Sequence, residues 1–340
     1  MINNISEICE KVQESLVEYF WNEKEGTFVN HYPVKDTENW IYWWHAHSLD
    51  SLLDGYNRTG EEKYLDRIQK EYNGTFVKNG NTFLHNWYDD MEWMALAQLR
   101  LYDATGEQNY KEQTLTLWED IKTAWNDSMG GGMAWKKDQL DYKNTPANAP
   151  AAILAFRLYQ RFQREEDLKW GEKILKWNME NLMDLETGFV WDGLNRQGDN
   201  KIDYDWKFTY NQGVVIGALV ELYKINHSPV CLNQAVKTAK ITKKLLADTN
   251  KGILPYEGLD DCGLFKGILV RYLYELHLVY PELEEIKDMI LSNARCVIDY
   301  SMNENGLIGG DWMAKETSCV DLAQHLSGIM LLETAAKLLK

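Results

Sequence analysis

Basic residues are scarce in this 340-residue chain: 36 Lys and Arg stand against 52 Asp and Glu, a formal net charge of −16. A surface of that sign repels phosphate backbones and anionic lipid heads, so neither nucleic acid nor a membrane surface is an expected partner. Proline is rare, six in all, and Pro and Gly never cluster into anything resembling a linker. No apolar run approaches the roughly 20 residues needed to span a bilayer. The five cysteines (Cys9, Cys231, Cys262, Cys296, Cys319) are odd in number and scattered, without a C-x-x-C pair, and read as reduced core thiols. The first twenty residues carry acids among their apolar positions and show no basic n-region or small-residue cleavage site, which makes a cytoplasmic location the expectation. No H-E-x-x-H, P-loop or dinucleotide fingerprint occurs, so neither a cofactor nor a metal is expected. The acids Asp260 and Asp261 are too few to imply Ca²⁺.

Aromatic residues, by contrast, are abundant: 14 Trp, 19 Tyr and 9 Phe. Such rings stack on the C–H faces of pyranose sugars, or simply fill a large core.

An internal repeat organises the chain. Tyr56-Asn57-Arg58-Thr59-Gly60-Glu61-x-x-Tyr64 returns as Tyr102-Asp103-Ala104-Thr105-Gly106-Glu107-x-x-Tyr110. In each, a helix stops, Gly takes the left-handed position after it, and an acid-rich turn opens the next helix. Weaker copies run from Tyr159 to Asp167, Tyr223 to Pro229 and His277 to Glu282. The helices before these turns are apolar nearly all round and rich in Ala and Gly, as in Met91-Glu92-Trp93-Met94-Ala95-Leu96-Ala97, and should be buried on most sides. Those after the turns carry charge on one face. Six pairs follow, with outer helices near 3–20, 61–72, 107–124, 166–182, 230–247 and 283–301. The inner helices lie near 44–57, 89–103, 147–162, 211–225, 264–279 and 317–338. Six such hairpins predict an all-α, (α/α)6 barrel forming one domain over residues 1–340, with an open solenoid as the alternative.

Outer-to-inner connections are long and begin with similar motifs: Gly26-Thr27-Phe28, Gly74-Thr75-Phe76, Gly130-Gly131-Gly132-Met133, Gly188-Phe189-Val190, Gly252-Ile253-Leu254 and Gly306-Leu307-Ile308. Trp40, Trp43, Trp44, Trp87, Trp135, Trp191, Trp206 and Trp312 lie in or beside these segments. Long loops in a compact domain are usually functional, and these would gather at the N-terminal ends of the inner helices.

Asn86-Trp87-Tyr88-Asp89-Asp90-Met91-Glu92 stands where one long loop enters an inner helix. Glycoside hydrolysis needs two carboxyl groups, one to protonate the leaving oxygen and one to attack or to activate water. Adjacent acids at a helix start can serve: the dipole favours one anion, whose charge holds the proton on the other. Asp89 with Glu92 is equally an ordinary capping arrangement. Spacing does not rank this pair above Asp260-Asp261 or Asp203 with Asp205. His45 and His47, two apart, diverge by roughly 200° on a helix and cannot share a metal; structural or sugar-binding roles are expected. His85 is a candidate to line the mouth.

Tyr88-Asp89-Asp90-Met91-Glu92-Trp93-Met94-Ala95-Leu96-Ala97 resembles the signature of glycoside hydrolase family 76, the endo-α-1,6-mannanases. Further blocks are similar in the same order: Gly130-Gly131-Gly132-Met133-Ala134-Trp135, Lys143-Asn144-Thr145-Pro146-Ala147-Asn148-Ala149-Pro150, Thr209-Tyr210-Asn211-Gln212-Gly213, Phe265-Lys266-Gly267-Ile268, and the segment from Gly306 to Trp312. The resemblance implies a six-hairpin barrel that cleaves α-1,6-mannosidic linkages in mannan or manno-oligosaccharides with retention. It implies Asp89 as nucleophile, through a glycosyl-aspartate intermediate, and Asp90 as acid/base, with carboxyls about 5–5.5 Å apart. Substrate-binding positions then fall on Trp87, Trp135, Asn144, Asn148, Tyr210, Asn211 and Lys266. The alternatives are a non-catalytic glycan-binding barrel, a transglycosylase and a sugar epimerase; the last would need histidine pairs that the chain scarcely offers. Oligomeric state is left open.

Overall fold

The structure is a computed structural model that describes residues 4–34, 40–315 and 319–340. Among the described residues there are twelve α-helices and seven short strands of two to six residues. The outer helices expected from the sequence are α1 (Ile5–Phe20), α3 (Glu62–Lys78), α5 (Gln108–Ile121), α7 (Glu165–Leu182), α9 (Pro229–Thr242) and α11 (Glu284–Cys296). The inner ones are α2 (Tyr42–Thr59), α4 (Tyr88–Thr105), α6 (Thr145–Phe162), α8 (Thr209–Asn226), α10 (Phe265–Val279) and α12 (Leu322–Leu338). Residue 3 of the first expected helix and residues 317 and 318 of the last lie outside the described residues.

Burial separates the two sets. Fifteen of the seventeen residues of α12 are buried, against six of seventeen in α3. Eleven of eighteen are buried in α4, against five of fourteen in α5. The turns work as the repeat predicts, with Gly60 at φ 73° and Gly106 at φ 74° accepting the left-handed conformation that ends α2 and α4. In the weaker copies Gln163 and His227 take the same conformation, at φ 54° and 53°.

Two expectations are corrected. Gly74-Thr75-Phe76 does not open a loop but continues α3 to Lys78. The cause is a close approach: a Cβ on Gly74 would stand 2.1 Å from the Gly26 carbonyl oxygen, so the helix runs on against that turn. The last inner helix begins at Leu322, because Val320 and Asp321 form a strand and Asp321 caps the helix in a reciprocal box with Gln324.

The chain forms two compact units. The first comprises residues 1–83, 243–271 and 284–340. In it β1 (Trp21–Asn22) pairs antiparallel with β2 (Thr27–Phe28), and β3 (His31–Tyr32) with β7 (Val320–Asp321). Near the C-terminal end of α2, Asp54 accepts from Arg271 at 2.9 Å and from Lys337 at 2.9 Å, and Arg58 pairs with Glu333 at 3.0 Å.

The second unit comprises residues 84–242 and 272–283. It holds a three-stranded antiparallel sheet of β4 (Ala134–Lys136), β5 (Gln139–Asn144) and β6 (Gly193–Leu194). Here Arg157 of α6 meets the buried Glu221 of α8 at 2.7 Å and Glu275 of α10 at 3.6 Å, and Lys224 meets Glu275 at 2.8 Å. Burial alone would raise the Glu221 carboxyl, but the Arg157 guanidinium, then Lys224, outweighs it and holds it below its ordinary 4.5. The stability from this pair is present above that ordinary value and is lost as pH falls below it.

Removing one partner of a buried pair strands the other charge. Arg157→Ala is expected to cost about 3–5 kcal/mol, and Arg157→Ala with Glu221→Leu to recover part of that loss. Urea denaturation of the two variants measures this; a single variant as stable as the parent contradicts it.

Candidate active site

Trp87 stands at the cap position of α4 in extended conformation (φ −90°, ψ 126°) and makes no side-chain cap hydrogen bond. Asp89 and Asp90 follow in the first turn, both half-buried. The capping box that Asp89 and Glu92 could form is absent, because Trp87 and not Asp89 holds the cap position; Glu92 is fully buried inside the helix layer. Burial, then the charges of Asp89 and Asp90, pushes the Glu92 carboxyl well above its usual range, so the uncharged acid is favoured there.

The loop before β4 delivers a donor to Asp89. Gly132 sits at φ +84°, and a Cβ there would meet the Trp177 ring at 2.6 Å, so only glycine fits. The Lys143 ammonium donates to the Gly132 carbonyl at 2.9 Å. Asn148 clamps Met133 through both amide atoms, accepting from its N–H at 2.8 Å and donating to its carbonyl at 3.1 Å. With the loop thus fixed, Lys136 bridges to Trp87 in antiparallel fashion. The neighbouring Trp135 Nε1 donates to Asp89 Oδ2 at 3.0 Å. Asp89 Oδ1 accepts from the Asp90 amide at 3.0 Å. Both oxygens of Asp89 are thus oriented by donors that stabilise an anion.

On the other side, His85 Nδ1 lies 3.1 Å from Asp90 Oδ2. Burial, assisted by the nearby Lys137 charge, lowers His85 to about 4, so at neutral pH its imidazole is uncharged. His85 also packs on Trp87, ring centroids 5.1 Å apart. The Lys136 ammonium lies 5.9 Å from the Trp87 ring and 5.3 Å from that of Trp135.

A fourth acid belongs to the same region and was not singled out from the sequence. Asp192 is 2% exposed and accepts from Asn211 Nδ2 at 2.9 Å and from the Tyr210 and Tyr142 hydroxyls at 3.2 Å each. Burial raises Asp192 to about 6, against the pull of these three donors. Burial, the charge of Asp192 and more weakly that of Asp89 push the Tyr210 hydroxyl well above 10. A lone Asp in Trp191-Asp192-Gly193 gives no signal of its own; only the tertiary convergence of its partners reveals it.

Of the residues expected at the site, Trp87, Trp135, Tyr210 and Asn211 thus gather with the aspartates in the second unit. Asn144 and Asn148 also lie there but serve the backbone: Asn144 caps α6 through Ala147 N, and Asn148, fully buried, holds the Met133 loop. Lys266 belongs to the first unit, 2% exposed, donating to the Gly310 carbonyl at 2.5 Å with the Trp312 ring 4.3 Å away. Among the rival acids, Asp261 accepts from the indoles of Trp43 and Trp44 in the first unit, and Asp203 pairs with Arg196 at 3.1 Å. His45 is structural, buried between Thr27 and Glu71.

An acidic pair on a helix start, framed by indoles and a buried polar network, is the equipment of a glycosidase-type barrel. The family comparison makes this specific: the model of Glycosyl hydrolase family 76 matches residues 4–337, and the chain belongs to that family. The α-1,6-mannanase GH76A of Salegentibacter sp. HEL1_6 is 40% identical, with a TM-score of 0.94 over 98% of this chain and 100% of that one. A Listeria innocua protein, Lin0763, is 41% identical with a TM-score of 0.94, over 98% and 97%. Bt3792 of Bacteroides thetaiotaomicron, at 18% identity and a TM-score of 0.84, shares the fold over 99% of each chain. The fold class is the expected (α/α)6 one. Mannan endo-1,6-alpha-mannosidase DCW1 of Candida albicans is 23% identical over 83% of this chain, and its Saccharomyces cerevisiae counterpart 24% over 71%. The chain spans only 67% and 59% of the length of those two proteins.

Because Asp192 is raised above its ordinary 3.8, the folded protein keeps a proton that the unfolded chain releases. The stability this confers is full below about 3.8 and is lost as the pH rises through about 6. Asp192→Asn is expected to flatten the pH dependence of unfolding free energy across that window. Denaturation titrations of parent and variant measure it; an unchanged slope contradicts the assignment.

Proposed function

We propose that the chain is an α-1,6-mannanase that cleaves manno-oligosaccharides or mannan by double displacement, with Asp89 as nucleophile and Asp90 as acid/base. The observation that carries the reading is the placement of Asp89 and Asp90 in the first turn of α4, with the Trp135 indole on Asp89. Asp89 attacks the anomeric carbon as the bond to the leaving oxygen breaks, and Asp90 gives that oxygen its proton. The glycosyl ester on Asp89 is then hydrolysed by water that Asp90, now a base, deprotonates. Glu92, kept towards its neutral form, adds no third full charge beneath the pair. Uncharged His85 beside Asp90 leaves the proton of the acid where the reaction needs it.

Support comes also from the Salegentibacter enzyme. It is inactive when two consecutive aspartates are replaced by alanine or by asparagine, and such variants bind α-1,6-mannotetrose and α-1,6-mannotriose. This chain has two Asp-Asp pairs, 89–90 and 260–261. The second lies in a short 3-10 turn, where Asp261 is engaged by two indoles, so the first is the better match in chemistry. Trp87, Trp135, Tyr210 and Asn211 form the sugar-facing shell of the proposal, and Asn144 and Asn148 hold the backbone of the same unit; Lys266, expected in that shell, holds the Gly310 carbonyl in the first unit. One catalytic domain over the whole chain belongs to the same reading, supported by a single family model over residues 4–337. So does a cytoplasmic setting, supported by five free cysteines; recovery of the protein outside the cell would sink that part.

The test is an assay on α-1,6-mannobiose through mannohexaose, with the product anomer followed by NMR. Cleavage with retention is expected. Asp89→Asn and Asp90→Asn should each lose about 10³-fold or more in kcat, while Asp261→Asn keeps turnover. Binding without cleavage by the parent chain would instead mark a glycan-binding module, and products longer than the substrate a transglycosylase.

A further inference from the structure

The pairing of β3 with β7 brings three unlike donors together at the start of α12. Register places His31 directly opposite Asp321. Cys319 lies just before β7, two residues before Asp321. A His31 ring nitrogen, the Cys319 sulfur and an Asp321 carboxylate oxygen all lie within 4.8 Å of one another. We propose that His31, Cys319 and Asp321 form a binding site for a transition-metal ion of the zinc class, a site that the sequence reading, which expected no metal, does not contain. It is independent of the function proposed above.

The donor set defines the ion. One thiolate, one imidazole and one carboxylate are a borderline-soft combination that suits Zn²⁺ and disfavours Ca²⁺ and Mg²⁺, which take oxygen ligands. Three protein ligands leave a fourth tetrahedral position for water. Zinc–ligand bonds of about 2.0–2.3 Å separate neighbouring ligand atoms by about 3.3–3.7 Å. The His31 Nδ1 to Asp321 Oδ1 distance is 2.8 Å, a hydrogen bond, so the metal-free pair must part by less than an ångström. The surroundings hold the ligands in place. Asp321 is the cap residue of α12, and its Oδ2 lies 3.4 Å from the Asp260 amide. The His31 ring meets Trp44 edge-on, centroids 6.4 Å apart. His31 and Asp321 are 18% and 9% exposed, low enough to exclude bulk water from most of the site yet open to an entering ion. Occupancy would staple the strand before α2 to the start of α12, residues nearly three hundred apart in sequence, by bonds stronger than the hydrogen bond now there.

A thiol binds a metal ion as the thiolate, so affinity for a site with a cysteine ligand falls as pH is lowered. The test uses the full chain stripped with a chelator, then titrated with Zn²⁺ against a chromophoric competitor and separately with Co²⁺. One equivalent of Zn²⁺ is expected, unaffected by excess Mg²⁺ or Ca²⁺, with a rise in melting temperature. Co²⁺ should give a thiolate charge-transfer band and tetrahedral d–d bands. Cys319→Ser should abolish the thiolate band and weaken Zn²⁺ binding by about 100-fold or more, beyond the loss typical of outer-shell partners. Cys262→Ser should change neither. His31→Gln should weaken binding likewise; if that variant fails to fold, Cys319→Ser decides alone. Absence of stoichiometric binding by the parent, or a thiolate band that survives in Cys319→Ser, overturns the proposal.

Discussion

Three carboxyl groups, Asp89, Asp90 and Glu92, crowd into the first turn and a half of α4, in a helix layer from which most water is excluded. Like charges so close cannot all be ionised without a large cost. The protein resolves this by depth. Glu92, fully buried, is driven towards its neutral form, while Asp89 near the tip is given the Trp135 indole and a backbone amide. The remaining acid, Asp90, faces an imidazole that burial keeps uncharged. Much of the surrounding structure serves this arrangement: the Gly132 turn, the Asn148 clamp and the β4 bridge to Trp87 all fix where Trp135 points.

The inner helices divide their polar residues by end. Near the N-terminal ends stand the acids and amides of the site, Asp89 and Asp90 on α4, Tyr210 and Asn211 on α8. Near the C-terminal ends stand buried ion pairs: Arg157 with Glu221 in the second unit, Asp54 with Arg271 and Lys337 in the first. Between them the helices are apolar, with Ala151-Ala152-Ile153-Leu154-Ala155 of α6 wholly buried. Charge pairing at the C-terminal ends is satisfied within the protein.

The helices were legible in the sequence because the repeat writes them twice over, in the periodic apolar faces and in the glycine stops. Gly60 and Gly106 occupy the left-handed conformation that their position demands. The strands were not, since two-residue pairs such as β3 with β7 carry no periodicity and depend on partners nearly three hundred residues away. Gly74 misled for a similar reason: glycine was read as a loop opener, when its smallness serves the approach of the Gly26 carbonyl inside a continuing helix. At the candidate site, adjacency made Asp89 and Asp90 visible. Asp192 was hidden because its partners lie 18 to 50 residues away. The amides of Asn144 and Asn148 look alike in sequence to sugar-binding ones, yet both engage backbone.

The central claim is that Asp89, oriented by Trp135, forms a covalent bond to the sugar. The most direct measurement is to incubate the enzyme with a 2-deoxy-2-fluoro-mannosyl donor bearing a good leaving group, quench in acid, and map the adduct by peptide mass spectrometry. The account predicts one fluoromannosyl group on Asp89. A label on another residue, or turnover that inverts the anomeric centre without any label, would contradict it.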